Sequence, residues 1–229
     1  MDYLWEGLVQ AGFLIATFNP EVYQITWLTV RVSLGATLLA SAAGIPLAVL
    51  LVEGSFPGKE SVITLINTLM ALPTVVVGLS VFAFLSRQGP LGGLELLFTP
   101  IAIVLGEFIL AIPIVAALSI AALKGVDPRV RETALTLGAS RGGAAFRVVL
   151  EARYAVAAAI LAGFARVVAE VGSALIVGGN IRGYTRTLAT AIALETGKGE
   201  FAFAIALGLI LILLSLITNI SLRVLIRKP

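Results

Sequence analysis

Five long apolar stretches, separated by short polar breaks, dominate the chain: 24–52, 61–86, 99–123, 152–177 and 200–225. Each reaches the roughly 20 apolar residues that a helix needs to cross a bilayer. The pattern predicts five transmembrane helices. The first is long for a perpendicular span, which implies a tilt or a projecting end. Ahead of them, residues 3–18 place Leu4, Leu8, Ala11 and Ile15 on one helical stripe, with Tyr3, Trp5 and Phe18 as interface-seeking aromatics. This segment predicts an amphipathic helix lying in the interface, with a short sixth span as the alternative. Asn19-Pro20 ends it.

Composition agrees with a membrane protein. Hydrophobic residues make up 59% and charged residues 13% of the 229, where a soluble domain carries about 25% charged. Mean hydropathy is +1.06. The length suits one transmembrane domain over 1–229, with no room for a second catalytic domain. The chain has no cysteine and no histidine. That excludes disulfides, thiol redox chemistry, His/Cys metal sites and nucleophile–histidine catalysis; no metal site and no nucleic-acid partner are expected. The first residues, Met1-Asp2-Tyr3 with Glu6 nearby, lack the basic region of a cleaved signal peptide.

Basic residues gather on one side of the predicted spans. The 124–151 loop and its edge hold Lys124, Arg129, Arg131, Arg141, Arg147 and Arg153, and the C-terminal end adds Arg223, Arg227 and Lys228. The other side has Arg87, Arg182, Arg186 and Lys198. By the positive-inside rule the N-terminus is outside, and the 53–60 turn, the 124–151 loop and the C-terminus are inside. Lys59 is offset by Glu53 and Glu60, so the first turn favours neither side.

The 124–151 loop has its own pattern. Asp127-Pro128 is a helix start. Val130, Ala134 and Leu137 follow at helical spacing, Gly138-Ala139-Ser140 interrupts, and Ala145, Val148, Val149 and Ala152 form a second series. Two short cationic helices joined at a glycine fit either a groove on another protein or an anionic lipid surface. The residues favour neither.

Here the chain resembles the membrane subunits of ABC importers, whose cytoplasmic loop follows E-A-A-x3-G-x9-I-x-L-P. The matching residues are Glu132, Thr133, Ala134, Gly138, Val148 and Leu150. Thr133 replaces the first alanine and Glu151 replaces the proline. The resemblance implies the five-span, all-α fold of type I importer permeases. It also implies a coupling helix, formed by Glu132, Thr133, Ala134, Leu137, Gly138 and Ala139, that seats in a cleft of a separate ATPase. Glu132 then either pairs with a basic residue of that ATPase or supports the loop's own fold.

A second stretch, 169–201, is similar to the oxyanion branch of these permeases, with a run E-x-G-x6-G-N-I-x-G-x-T-x-T-L. It is carried by Glu170, Gly172, Gly179, Asn180, Ile181, Gly183, Thr185, Thr187 and Leu188. The resemblance is nearest to tungstate permeases, with molybdate- or sulfate-type transport as the alternative. It implies ATP and Mg on the partner ATPase, an external oxyanion-binding protein, a second copy of this chain, and a lipid-embedded location in a prokaryotic cell membrane. The chain itself has no phosphate-binding G-x-x-x-x-G-K-[ST], so it is expected to bind no nucleotide and catalyse nothing alone. A secondary transporter would predict internal repeats or lone mid-span carboxylates; no repeat is evident.

Ionisable residues within spans are candidate functional residues. Arg166 and Glu170, four apart on one helical face, fit a buried ion pair better than a pathway lining. Glu107 and Arg31 are read as lying nearer span ends. Pro73 and Pro113 interrupt the second and third predicted spans and can kink them. In the loop after the fourth span, Asn180, Arg182 and Arg186 are candidates for an external gate or docking site, against an ordinary solvated turn.

Overall fold

The computed structural model describes residues 2–226. Among these it contains eleven α-helices, one short 3-10 turn and no strand. The helices are α1 (Asp2–Ala16), α2 (Pro20–Glu53), α3 (Lys59–Leu69), α4 (Thr74–Leu85), α5 (Pro100–Lys124), α6 (Pro128–Thr136), α7 (Arg141–Glu151), α8 (Arg153–Val167), α9 (Gly172–Gly178), α10 (Leu188–Lys198) and α11 (Phe201–Ile226).

Three of them are long and apolar enough to cross a membrane: α2, α5 and α11. They match the predicted spans at 24–52, 99–123 and 200–225. α2 and α5 begin alike. Asn19 accepts hydrogen bonds from the Glu21 and Val22 amides, Thr99 accepts one from the Ala102 amide, and a proline follows each cap. α2 has 34 residues, so at about 1.5 Å per residue it outruns a core about 30 Å thick. It packs along α5 through Ala36, Ala40, Gly44 and Ala48, one small residue per turn and all buried. A Cβ on Gly44 would stand 3.3 Å from the Ala116 amide nitrogen, so the two backbones touch there.

The other two predicted spans are not single rods. Segment 61–86 is α3 and α4, bent by 101°. Pro73 lies just ahead of α4, and its carbonyl takes the Val76 and Val77 amides. It therefore starts a new helix instead of kinking an old one. Pro113, by contrast, sits inside an unbroken α5. Segment 152–177 ends as α8 at Val167 and resumes as α9 at Gly172. The two broken segments pack on each other: a Cβ on Gly78 of α4 would come within 2.8 Å of the Ser173 Cα of α9. A further helix, α10, occupies ground that the hydrophobic pattern leaves as an external loop.

The expected N-terminal helix is present as α1, against α11. Its seated face differs from the predicted stripe. Gly7 and Ala11 are buried, whereas Leu8 is exposed, because the small residues admit the α11 side chain Ile205. α11 keeps a broad apolar outer face, with Ile212, Leu213, Leu216, Ile217 and Ile220 exposed, as a lipid-facing helix does.

Three apolar clusters order the bundle. The central one joins α2, α4, α5 and α9 around Val32, Val81, Ile103, Leu110 and Val177. A second, around Leu51, Ile63, Ile120, Val148 and Val156, gathers the ends of α2 and α5 with α3, α7 and the start of α8. A third, around Val22, Ile25, Leu188 and Leu207, joins the start of α2 to α10 and α11. The 53–60 turn and α6–α7 therefore share one end of the molecule, and the 178–200 segment lies at the other. Arg227 and Lys228, which contributed to the charge count, lie outside the described residues.

Candidate functional site

Two polar surfaces sit at opposite ends. At the first, Asp127 caps α6 through the Arg129 amide. The helix closes on Gly138, where φ is +88°. The Ala139 amide reaches the Ala134 carbonyl and the Gly138 amide reaches the Leu135 carbonyl. This is a left-handed helix stop that favours glycine. Ser140 then caps α7 through the Gly143 amide. α6 buries none of its residues. Leu137 is 83% exposed; Glu132, Thr133 and Gly138 are exposed, and Ala134 and Ala139 half-buried. Glu132 has no hydrogen bond or ion pair among the described residues. The support comes from its neighbour: Arg131 Nε meets Glu53 at 2.7 Å and ties α6 to the end of α2. Lys59 Nζ meanwhile takes the Val52 and Gly54 carbonyls at that helix end.

Glu151 occupies the position where the family pattern has proline. It is exposed at the end of α7. The chain turns by 70° into α8 without a proline. Arg153 Nη1 donates to the Leu150 carbonyl, and its guanidinium lies 4.6 Å from the Tyr154 ring centre.

At the opposite end the oxyanion-type run folds into a tight scaffold. Gly179, Asn180 and Gly183 take positive φ. Asn180 Nδ2 donates to the Thr190 carbonyl, and its Oδ1 accepts from the Thr190 hydroxyl. The Thr185 hydroxyl donates to the Gly178 carbonyl and accepts from the Ile181 amide. Thr187 and Thr190 form a reciprocal cap that opens α10. The Leu188 amide donates to Thr29 of α2. From Gly179 to Leu188 the pattern's polar residues thus hold the fold, and the charge sits on Arg182 and Arg186 between them.

Arg182 is exposed and grips Glu21 through Nε and Nη2. That pairing raises the already high pKa of its guanidinium, so the side chain stays charged. Arg186 is only 8% exposed. It lies 3.2 Å from Glu195 and 3.7 Å from Glu21, and Glu195 also takes Lys198 at 3.1 Å. Arg186 Nε has no hydrogen-bond partner. Hydropathy and spacing singled out neither Glu21 nor Glu195. Glu21 is 161 residues from Arg182, and its only local signal is a first-turn carboxylate.

Between the two ends, Arg166 and Glu170 form the expected ion pair at 3.1 Å. Glu170 also accepts from the Ser173 amide and so holds the start of α9 at the helix break. Glu107 departs from its expected place near a span end. It is 2% exposed, close to Ser33 and Glu170. Glu107 Oε2, Ser33 Oγ and Ser173 Oγ all lack hydrogen-bond partners. α2, α5 and α9 meet around this carboxyl, which is why a residue eight positions into α5 does not reach the interface. No cluster of metal-ligating side chains occurs among the described residues.

Known proteins are similar to this chain. A probable anion ABC transporter permease protein of Haloferax volcanii is 44% identical over 76% of this chain and 77% of its own. A tungstate uptake system permease protein of Peptoclostridium acidaminophilum is 36% identical over 85% of each. Among solved structures, a bacterial ABC transporter involved in the import of the polysaccharide alginate superposes with a TM-score of 0.72. That match is at 20% identity, over 100% of this chain and 91% of the other. The family model described as the binding-protein-dependent transport system inner membrane component matches residues 36–229. The chain belongs to that family of ABC importer permeases.

Proposed function

We propose that this chain is the membrane subunit of an ATP-driven importer that carries tungstate, or a closely related oxyanion, into a prokaryotic cell. The observation that carries the reading is α6. It is a capped, braced helix whose exposed Leu137 tip and unpartnered Glu132 have no role in the chain's own packing. A surface of that kind suits insertion into a partner. Its basic surroundings favour the cytoplasmic face, where an ATPase subunit carrying ATP and Mg docks. The tungstate assignment is supported by likeness to tungstate and anion permeases.

In this reading two copies of the chain pair with two ATPases, and an external binding protein delivers the anion to the 178–200 end. ATP binding favours one state of the ATPase dimer, and α6 transfers that preference to the spans. Arg131–Glu53 passes the movement to α2, and the α2–α5 seam carries it through the membrane. Arg166–Glu170 braces the α8–α9 break and is not a ligand.

The test is co-purification with the cognate ATPase and binding protein in nanodiscs, then ATPase stimulation by tungstate, molybdate and sulfate. Tungstate should stimulate at the lowest concentration. Equal response to all three would remove the tungstate assignment. No association with the ATPase would remove the importer reading.

A further inference from the structure

Beside the Glu21–Arg186 network lies a cavity of about 330 Å³. That is the small end of ligand pockets, about 300–1,000 Å³. One wall is a single stripe of α2, with Gln24, Trp27, Leu28 and Arg31 at helical spacing. The others are Gly183, Tyr184 and Arg186 from the tight turn, and Pro100 at the start of α5. No acidic side chain lines it. Arg31 forms no hydrogen bond or ion pair among the described residues, and neither does the Tyr184 hydroxyl. Arg186 is more than nine-tenths buried, and its Nε lacks a partner.

The donor count is one-sided. The Arg and Trp side chains only donate, the Tyr184 hydroxyl can donate or accept, and the Gln24 amide brings both a donor and an acceptor. Gln24 is also tethered, giving a hydrogen bond to the Gly183 carbonyl at 3.0 Å that fixes the α2 stripe against the turn. Glu21 and Glu195 lie on the far side of Arg186, where they balance its burial without entering this cavity. Arg31 is exposed beside Leu28, Trp27 and Pro100 with no carboxylate at hand, so its guanidinium is open to an anion.

We propose that this cavity is an oxyanion station at the outer mouth of the permease. A small tetrahedral dianion would be held there between Arg31 and Arg186, with the Tyr184 hydroxyl and the Trp27 indole as further donors. The inference rests on the importer reading above and adds a site within this chain. Such a ligand accepts at every oxygen and donates nowhere, which is the complement of these walls. The station receives the anion released by the binding protein and holds it until the bundle opens inward.

The experiment uses the assembled importer in vesicles, with internal tungstate, molybdate and sulfate measured by elemental mass spectrometry. R31Q should lower uptake about ten- to hundred-fold, the loss expected on removing a charge-assisted hydrogen bond. R31K, which keeps the charge but not the fork, should fall between R31Q and the unaltered protein. Affinity of the loaded binding protein for each variant, read by biolayer interferometry, should not change. R31Q uptake within twofold of the unaltered protein would overturn the station and leave the importer reading standing. Lost binding-protein affinity in R31Q would overturn it too, making Arg31 a docking residue for an acidic surface. So would loss of the permease dimer by cross-linking, which would make Arg31 an interface residue. Absence of oxyanion uptake by the unaltered importer would sink the importer reading, and the station with it.

Discussion

The two ends of the molecule use short glycine-containing patterns in opposite ways. In 127–151, the pattern residues Glu132, Thr133 and Gly138 face outward, while Val148 further along is buried. Gly138 has open space around it, Leu137 is bare and Glu132 is unpaired. In 178–200, the pattern's polar side chains turn inward, while Ile181 and Gly183 are exposed. Thr185, Thr187 and Leu188 are buried, and Asn180 is braced on Thr190. The first end leaves these residues outside the chain's own packing, and the second uses them to hold its own fold. At the second, the exposed chemistry falls on positions the pattern leaves free, Arg182 above all. A recurring motif therefore does not locate function by itself; the burial of its residues does.

The contrast predicts where substitutions will act on stability. The largest effect is expected at Leu188, which is fully buried between α2 and α11. Leu188→Ala should cost about 2–5 kcal/mol, seen as a lower unfolding midpoint of the detergent-purified permease. An unchanged midpoint would break the claim that this end is architecture. Next comes Glu195→Ala, which leaves the buried Arg186 with Glu21 at 3.7 Å as its remaining ion-pair partner. Removing one member of such a pair should cost about 3 kcal/mol. Double replacement with Arg186→Leu should recover part of it. If the double variant is less stable than the single one, Arg186 packs for reasons other than charge.

Much of this contrast was legible in the residues, and what was not has physical causes. The long spans α2, α5 and α11 follow from uninterrupted apolar length. The Asp127-Pro128 start and the Gly138 stop follow from capping chemistry that acts within a few residues. α10 has no signature in the hydrophobic pattern, because eleven residues bearing Glu195, Thr196 and Lys198 carry no span-like signal. The α3–α4 break was visible only as Pro73, because one proline permits a kink or a complete stop and the packing of α4 on α9 decides which. The burial of Glu107 and the pairing of Glu21 with Arg182 depend on elements brought together by the fold. No local pattern encodes either.

An intermediate effect is expected at Gly138. Its positive φ penalises a side chain, but nothing within 4 Å would touch a Cβ. Gly138→Leu should cost about 1–2 kcal/mol of local backbone strain and loosen the last turn of α6. Affinity for the ATPase should drop, while the permease still inserts and dimerises. Gly138→Asn should keep most of that affinity, because asparagine tolerates the left-handed region. Pull-down of the ATPase by each variant separates the two. Equal loss in both would show that the open space, not the backbone angle, is what the partner requires.

The smallest effect on stability should come from Leu137, and it is the sharpest test of the comparison. At 83% exposure the side chain makes little contact with its own chain, so Leu137→Ala should shift stability by no more than about 0.5 kcal/mol. If the ATPase cleft buries it, the same change should remove about 1.5–3 kcal/mol of apolar burial, which is roughly 10- to 100-fold in ATPase affinity. Leu188→Ala should show the reverse: a large drop in midpoint, with ATPase affinity unchanged in the fraction that stays folded. Both variants delete the same atoms from the same residue type. A difference between them must therefore come from which surface each leucine serves. Should Leu137→Ala leave ATPase affinity intact, the exposed tip of α6 would have to meet lipid, and insertion through the apolar tip would fail as an account of coupling.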